Sequence, residues 1–148
     1  MAVRFAYCPF RLRFKHPFET SHGSRDGTDA LFVRAEEDGM VGYGEVTLPP
    51  YLKETITEAI AQLRGWASSH LGTAEELLRQ LEADTSAFQD AAGARAGLHS
   101  ALLDIFIRQQ QQTVGQHYKV AFIKHPITLM TLGVMPNAQL EDRLRELP

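Results

Sequence analysis

The first third of the chain alternates hydrophobic and polar positions with a period of about two, which predicts β-strands. Aromatic and β-branched residues mixed with charges predict strands over residues 2–14, 29–38 and 40–46. Pro9 is expected to break the first strand, because proline donates no hydrogen bond to a sheet. Asp38-Gly39 is a dipeptide typical of tight hairpin turns, so the second and third strands should pair antiparallel.

Residues 15–28 contain a proline, two glycines and several small polar residues, and they predict a long loop. Gly23 and Gly27 are expected to be its flexible points, since glycine adopts backbone conformations that other residues avoid.

After Pro49-Pro50 the spacing changes to the three- and four-residue intervals of helices. It predicts one helix over about 53–70 and another over about 91–112. Between them, Thr73 and Glu76 have the spacing of a capping box, which predicts a short helix beginning there.

The last segment has a different character. Residues 127–134 are apolar throughout, as in a strand buried on both faces of a parallel sheet. Pro136 is well placed for the first position of a helix. The sequence therefore predicts an α+β domain over 1–126, a three-stranded antiparallel sheet followed by a helical bundle. Residues 127–148 are expected to be the first strand and helix of an incomplete barrel.

Composition narrows the classes of function. The chain has 148 residues, 44% of them hydrophobic, and a net charge of −3, which offers no basic surface for nucleic acid. Cys8 is the single cysteine, so the chain has no internal disulfide framework. No apolar run reaches the length of a membrane helix, and the N-terminus lacks the pattern of a signal peptide, so a cytoplasmic location is expected.

Familiar catalytic motifs do not occur in the sequence. The six histidines show neither H-x-H nor H-E-x-x-H spacing, and there is no G-x-S-x-G or phosphate-binding glycine loop. No residue of the chain is therefore predicted to be catalytic or to bind a metal.

Three stretches together resemble the N-terminal capping domain of the enolase superfamily, in the mandelate racemase and muconate lactonizing enzyme branch. They are His16-Pro17-Phe18, the sequence VGYGE at 41–45 and the sequence ARAGLHSALLD at 94–104. Their order and spacing are most similar to those of dipeptide (L-Ala-D/L-Glu) epimerases.

Four departures from the family pattern concentrate near the end of the third stretch. His99 stands where an acidic residue or Gln is usual, Ile107 where Gly or Ala is usual, and Thr113 where Pro, Ser or Ala is usual. The L-x-G-like ending of the motif is missing around 117–119. The joint between the capping domain and a barrel is therefore expected to differ from that of relatives.

The resemblance implies a capping domain above a (β/α) barrel that supplies Mg²⁺, its three carboxylate ligands and lysine bases. The metal stabilises the enolate formed when a base removes the proton next to a carboxylate. A barrel needs about 200–250 residues, and this sequence contains no Lys-x-Lys. The catalytic groups are therefore expected outside this chain.

The resemblance also implies that two loops of the capping domain, 20–28 and 46–53, select the substrate. Arg25 would bind a substrate carboxylate through its planar fork, although a solvated arginine explains it too. Leu48 and Tyr51 would form an apolar wall, although an exposed diproline turn is an equal alternative. The full set of expected substrate-binding residues is Ser21, His22, Ser24, Arg25, Leu48, Tyr51 and Thr131.

The expected function is thus the substrate-selecting part of an isomerase, a dipeptide epimerase that acts by Mg²⁺-assisted abstraction of an α-proton. Its partner would be a small molecule, a dipeptide or another carboxylate, with no nucleic acid and no membrane, and a homo-oligomer is an open alternative. Within the family, succinylbenzoate synthase or muconate cycloisomerase activity is the alternative. Outside it, the alternative is a non-catalytic α+β binding module.

Overall fold

The first part of the chain forms three antiparallel strands in the order β1-β2-β3. They are β1 (Arg4–Thr20), β2 (Gly23–Glu37) and β3 (Met40–Thr47). The computed structural model describes residues 1–20, 23–49, 53–121 and 134–145. The Asp38-Gly39 turn is confirmed, with positive φ at both residues, which is the conformation that the tightest hairpins require.

The predicted loop over 15–28 is wrong. β1 continues to Thr20 and pairs with β2 from Gly23 onward. Exposed Lys15, Pro17 and Glu19 alternate with half-buried His16 and Phe18, so the period of two extends beyond residue 14. Proline and glycine signals concealed this pattern from sequence reasoning.

The prolines of β1 lie where a strand tolerates them. Pro9 is paired with Leu31 and does not break the strand, because β1 is an edge strand of the described sheet. Pro17 falls in the irregular stretch between Arg13 and Phe18 where the register shifts. That irregularity accommodates a residue without a backbone N–H.

Three helices follow the sheet and confirm the predicted helical half. They are α1 (Ile56–Ser69), α2 (Ala74–Ala83) and α3 (Ala92–Gln109). Thr55 and Thr73 cap α1 and α2, and each forms a capping box with the glutamate three residues later. The core between the helices and the sheet includes Leu31, Leu63 and Leu98, all with no exposed surface.

Helix α3 lies directly on β3, and three glycines make this possible. A Cβ at Gly44 would lie 1.8 Å from the Gly97 carbonyl oxygen, and one at Gly42 would lie 2.2 Å from the Ala101 oxygen. Because Gly42 faces Ala101, Gly44 faces Gly97 and Val46 faces Gly93, α3 runs antiparallel to β3. The beginning of α3 therefore lies beside the end of β3.

Two short helices complete the described chain, α4 (Val114–Tyr118) and α5 (Asn137–Arg145). α5 confirms the helix expected after Pro136, whereas α4 was not predicted. Thr113 caps α4, and Lys119 ends it in the left-handed conformation with φ 54°. That conformation favours glycine. The family motif would have a glycine at this position, and this chain has Lys119.

The predicted barrel strand over 127–134 lies almost entirely outside the described residues. Val134 is described, and its N–H donates to the Glu19 carbonyl oxygen at the end of β1, at 2.9 Å. The division of the chain at residue 126 stays a prediction. None of the helices among the described residues is long and apolar enough to cross a membrane.

Candidate functional site at one end of the sheet

The candidate site lies at the end of the sheet where β3 stops and α3 begins. Thr47, the last residue of β3, pairs with Ala30 of β2. Beyond that pair, β1 and β2 continue as a two-stranded extension, residues 11–20 and 23–29, which we call the distal ribbon. Of the seven expected substrate-binding residues, Ser24 and Arg25 lie on the ribbon, and Leu48 directly follows β3.

Arg25 lies on the distal ribbon opposite Phe18. Its guanidinium carbon is 5.9 Å from the centre of the Phe18 ring, a distance at which a cation is attracted to an aromatic face. The side chain is half-buried. This contact favours one position of the guanidinium, and among the residues that the structure describes no ion pair joins Arg25 to a carboxylate.

Ser24 lies next to Arg25 on β2, paired with Glu19, and is exposed. Both residues are therefore presented by paired strands and not by the predicted mobile loop. Gly27 is also no flexible point, because a Cβ there would lie 2.4 Å from the Leu12 carbonyl oxygen. Gly23, with φ 128°, adopts a conformation for which glycine is suited.

Arg11 fastens the base of the distal ribbon. Its guanidinium bonds Asp29 at 3.0 Å and Asp26 at 2.8 Å. The hydrogen bonds that Arg11 donates to both aspartates raise the pKa of Arg11, and the bond that Asp26 accepts from Arg11 lowers the pKa of Asp26. All three side chains are at least half exposed to solvent, where such pairs contribute little to stability.

Leu48 directly follows β3 and is half-buried against the core. It approaches the first turn of α3, where a Cβ at Gly93 would lie 3.1 Å from Leu48 Cδ2. Arg25 lies five residues beyond Ala30 along β2, which is about 16 Å at the rise of a strand. Arg25 and Leu48 are thus at the same end of the sheet.

Sequence reasoning missed the role of Glu54. Its carboxylate accepts hydrogen bonds from the backbone N–H groups of Gly93 and Ala94, both at 3.0 Å. The partners are 39 and 40 residues apart in sequence, so no local pattern could have revealed this contact.

The second and third family stretches, VGYGE and ARAGLHSALLD, contact each other where α3 lies on β3. Besides the packing of glycines, Asp104 of α3 accepts a hydrogen bond from the Tyr43 N–H of β3 at 3.2 Å. His99, a departure from the family pattern, places Nε2 3.0 Å from Glu82 at the end of α2. The motifs are therefore signatures of the contact between sheet and helix.

Four of the expected substrate-binding residues, Ser21, His22, Tyr51 and Thr131, lie outside the described residues. The structure brings Ser24 and Arg25 together on β2 and places Leu48 at the same end of the sheet.

The described residues do not fit a magnesium site. Within 1–20, 23–49, 53–121 and 134–145, no three His, Cys, Asp or Glu side chains are grouped so that they could hold a metal ion. The carboxylates at the candidate site bond to other groups, Glu45 to the Thr47 hydroxyl at 3.1 Å and Glu54 to α3. No catalytic step is assigned to these side chains.

Comparison with known proteins identifies the family. Residues 6–117 match the model of the mandelate racemase / muconate lactonizing enzyme N-terminal domain. The chain belongs to this family, the N-terminal domain of the enolase superfamily, as the three sequence stretches indicate.

The curated relatives are epimerases of longer length. The L-Ala-D/L-amino acid epimerase of Flavobacterium johnsoniae is 24% identical over 140 residues, which cover 94% of this chain and 42% of that protein. The L-Ala-D/L-Glu epimerase of Bacteroides thetaiotaomicron is 34% identical over 62 residues, 42% of this chain and 16% of that protein. The chain therefore spans less than half the length of these relatives.

Among solved structures, the dipeptide epimerase of Methylococcus capsulatus, complexed with Mg and the dipeptide L-Arg-D-Lys, has a TM-score of 0.83. At 22% identity the alignment covers 99% of this chain and 42% of that one. This likeness confirms the predicted fold, a three-stranded antiparallel sheet followed by helices.

Proposed function

We propose that this chain is the substrate-selecting capping part of a dipeptide epimerase, whose reaction removes and returns the α-proton of one residue of the dipeptide. The single observation that carries the proposal is the placement of Arg25 and Leu48 at one end of a capping domain of this family. One supplies a cation and the other an apolar surface, the two features that a dipeptide with a free carboxylate requires.

In this proposal Arg25 binds the carboxylate of the dipeptide. A guanidinium recognises a carboxylate through two parallel hydrogen bonds, and the Phe18 ring at 5.9 Å holds its position. Because β1 and β2 are paired on both sides of Arg25, little conformational entropy is lost when the substrate binds. A solvated arginine without function is the alternative.

Leu48 would contact the side chain of the dipeptide, together with Tyr51. Ser24 would supply a polar contact from the ribbon, Ser21 and His22 are proposed to supply further polar contacts, and Thr131 is proposed to face the substrate from the first barrel strand. These roles are carried over from the resemblance, and they stay predictions.

The reaction itself is proposed to take place on a (β/α) barrel with bound Mg²⁺. In this proposal the metal ligands and the proton-abstracting bases are supplied from outside the 148 residues. The names of the relatives favour dipeptides over the substrates of succinylbenzoate synthase or muconate cycloisomerase. Self-association also stays a prediction, which gel filtration would test.

A chimera tests the proposal. Residues 1–126 would replace the corresponding segment of the Methylococcus capsulatus dipeptide epimerase, the neighbour whose structure aligns with 99% of this chain. The chimera should exchange the α-proton of dipeptides in deuterated water with Mg²⁺ present. Substitution Arg25→Ala should raise KM about tenfold or more while kcat changes less, because a charge-assisted pair that binds substrate is lost.

Arg4→Ala is the matched control, since Arg4 is exposed and bonds Glu36 at the opposite end of the same strand pair. It should leave KM unchanged. Equal effects of the two substitutions on KM would refute the role of Arg25, and a folded chimera without exchange on any dipeptide would refute the proposed substrate class.

The 148-residue chain alone should exchange no α-proton, even with Mg²⁺. Exchange above background would show that this chain holds catalytic groups. It would refute the proposal that the metal ligands and bases are supplied from outside the 148 residues. If the chain alone binds a partner protein tightly and the chimera stays inactive, the alternative of a non-catalytic binding module is favoured.

A further inference from the structure

The first turn of α3 lacks a capping side chain of its own. The residue at its N-cap position is Ala91, which makes no side-chain hydrogen bond to the helix. The first N–H groups of a helix have no partner within it, and a buried one without a partner is costly. Ala91 has only 2% of its surface exposed, so this helix end requires partners from elsewhere in the protein.

Glu54 supplies them across the fold. Its Oε2 accepts from the Gly93 N–H and its Oε1 from the Ala94 N–H, each at 3.0 Å. These are the two N–H groups that a serine or aspartate at the N-cap would satisfy. The carboxylate also lies at the positive end of the helix dipole.

The first turn of α3 also contacts the residues at the end of β3, where the connection to α1 begins. A Cβ at Gly93 would lie 3.1 Å from both Val46 Cγ1 and Leu48 Cδ2, and 2.9 Å from Glu54 Oε2. The chain leaving β3 and the chain entering α1 therefore converge on one glycine. Gly93 can bring them this close because it has no side chain.

We propose that Glu54 is a positioning residue, which sets where the segment following β3 lies at the candidate site. Its carboxylate joins the segment to α3, and Leu48 packs against the same helix turn. The significance for substrate selection rests on the function proposed above for Leu48. A second consequence is that α3 depends on this carboxylate in place of a local cap.

The chemistry requires a carboxylate and not merely a polar side chain. Two N–H donors need two acceptors, and each oxygen of Glu54 accepts one. A glutamine presents one oxygen and one NH₂ group, so Glu54→Gln would lose one bond and place a donor against a donor. The variant preserves the size of the side chain but loses one of its two hydrogen bonds to α3.

Hydrogen exchange of the full chain, followed by mass spectrometry, tests the proposal together with thermal unfolding. Glu54→Gln should lower Tm and accelerate exchange of the amides within 46–49 about tenfold, since a bond to a charged group is worth roughly that factor. Glu58→Gln is the matched control, because Glu58 caps α1 through Thr55 and not α3. It should leave the exchange of residues 46–49 near that of the wild type.

A second substitution separates positioning from simple helix capping. Ala91→Ser would give α3 an N-cap oxygen within its own helix at little change in volume. In the double variant with Glu54→Gln, Tm should recover while exchange of residues 46–49 stays fast. If the serine also restores slow exchange, or if Glu54→Gln accelerates exchange uniformly over the chain, the positioning role is wrong.

Glu54→Asp keeps the negative charge on a shorter side chain and serves if Glu54→Gln fails to fold. It should give intermediate exchange, and exchange identical to the wild type would contradict the proposal. Because these measurements need no substrate, they are independent of whether the chimera acts on dipeptides. The positioning role and the epimerase function can therefore fail separately.

Discussion

Two regions of the molecule are held together differently. One is the contact of α3 with β3, and the other is the distal ribbon. In the first, backbone meets backbone at Gly44 and Gly97 with no space for a side chain. In the second, strands beyond the core are fastened by Arg11, whose ion pairs with Asp26 and Asp29 are exposed to solvent. Close packing permits few substitutions, whereas exposed ion pairs permit many.

This difference explains where the family signature lies. The stretches VGYGE and ARAGLHSALLD face each other across the close contact, with Gly44 against Gly97 and Tyr43 bonded to Asp104. Arg25, the proposed substrate contact, lies on the ribbon. A domain built in this way can change its substrate contacts while its sheet and helix remain fixed.

The largest effect is expected from Gly44→Ala. A Cβ there would lie 1.8 Å from the Gly97 carbonyl oxygen, so α3 would have to move away from β3 along its length. We expect a loss of about 3 kcal/mol in the free energy of unfolding, at the upper end for overpacked sites. Urea denaturation followed by circular dichroism would measure it.

Gly65→Ala is the matched control for this substitution. Gly65 lies inside α1, is exposed, and a Cβ there would meet no described atom within 4 Å. Because alanine favours a helix interior over glycine, we expect a gain of about 0.5–1 kcal/mol. Similar losses at both positions would show that the contact of α3 with β3 is not the rigid part of the fold.

The sequence predicted those parts of the molecule that local signals determine. The Asp38-Gly39 turn, the Thr73–Glu76 capping box and the spacing of α3 each involve residues within a few positions of one another, and each is confirmed. The glycines at 42 and 44 were recognised as part of a family motif. Their physical reason, the approach of α3, required the structure.

Sequence reasoning failed where tertiary contacts outweigh local preference. The loop signals of 15–28 are overridden by pairing with β2, which extends the strand to Thr20. Glu54 satisfies a helix 39 residues away, and Lys119 adopts a left-handed conformation that its side chain disfavours. Of the candidate site, the residue types could be proposed from the family resemblance, but the paired strands that carry Arg25 could not.

A smaller effect is expected at Tyr7. It tests whether the stability of the contact between the sheet and the helices depends on packing alone. Tyr7 lies on β1 opposite Val33, and its hydroxyl has no hydrogen-bond partner among the described residues. Burial raises the pKa of Tyr7 to about 12, partly opposed by the charge of Arg64. Because the folded state holds the proton more tightly than the unfolded state, stability should fall as pH rises above 10 toward 12.

One pKa unit corresponds to about 1.4 kcal/mol, and because the Tyr7 side chain is partly exposed the alkaline loss should be about 1–2 kcal/mol. Tyr7→Phe should remove this loss and change stability at neutral pH by no more than about 1 kcal/mol. Tyr118→Phe, at a ring that is 47% exposed, is the control and should retain the loss. Equal alkaline slopes for Tyr7→Phe and the wild type would contradict the assignment.

The smallest effect is expected from Arg11→Ala in the distal ribbon. The Arg11 guanidinium lowers the pKa of Asp26, so the pair stabilises the fold above the ordinary aspartate pKa. This contribution is lost as pH falls through the lowered pKa of Asp26. Tm should therefore drop slightly at neutral pH and low salt, and the difference from the wild type should vanish in acid or at about 1 M salt, where exposed charges are screened.

Arg11→Lys separates charge from geometry in the same experiment. A lysine keeps the charge but lacks the fork that reaches Asp26 and Asp29 together, so its Tm should lie between those of Arg11→Ala and the wild type. A loss for Arg11→Ala as large as that for Gly44→Ala, and insensitive to salt, would mean that the ribbon belongs to the cooperative core. The ribbon would then lack the tolerance that makes it suitable for varying substrate contacts.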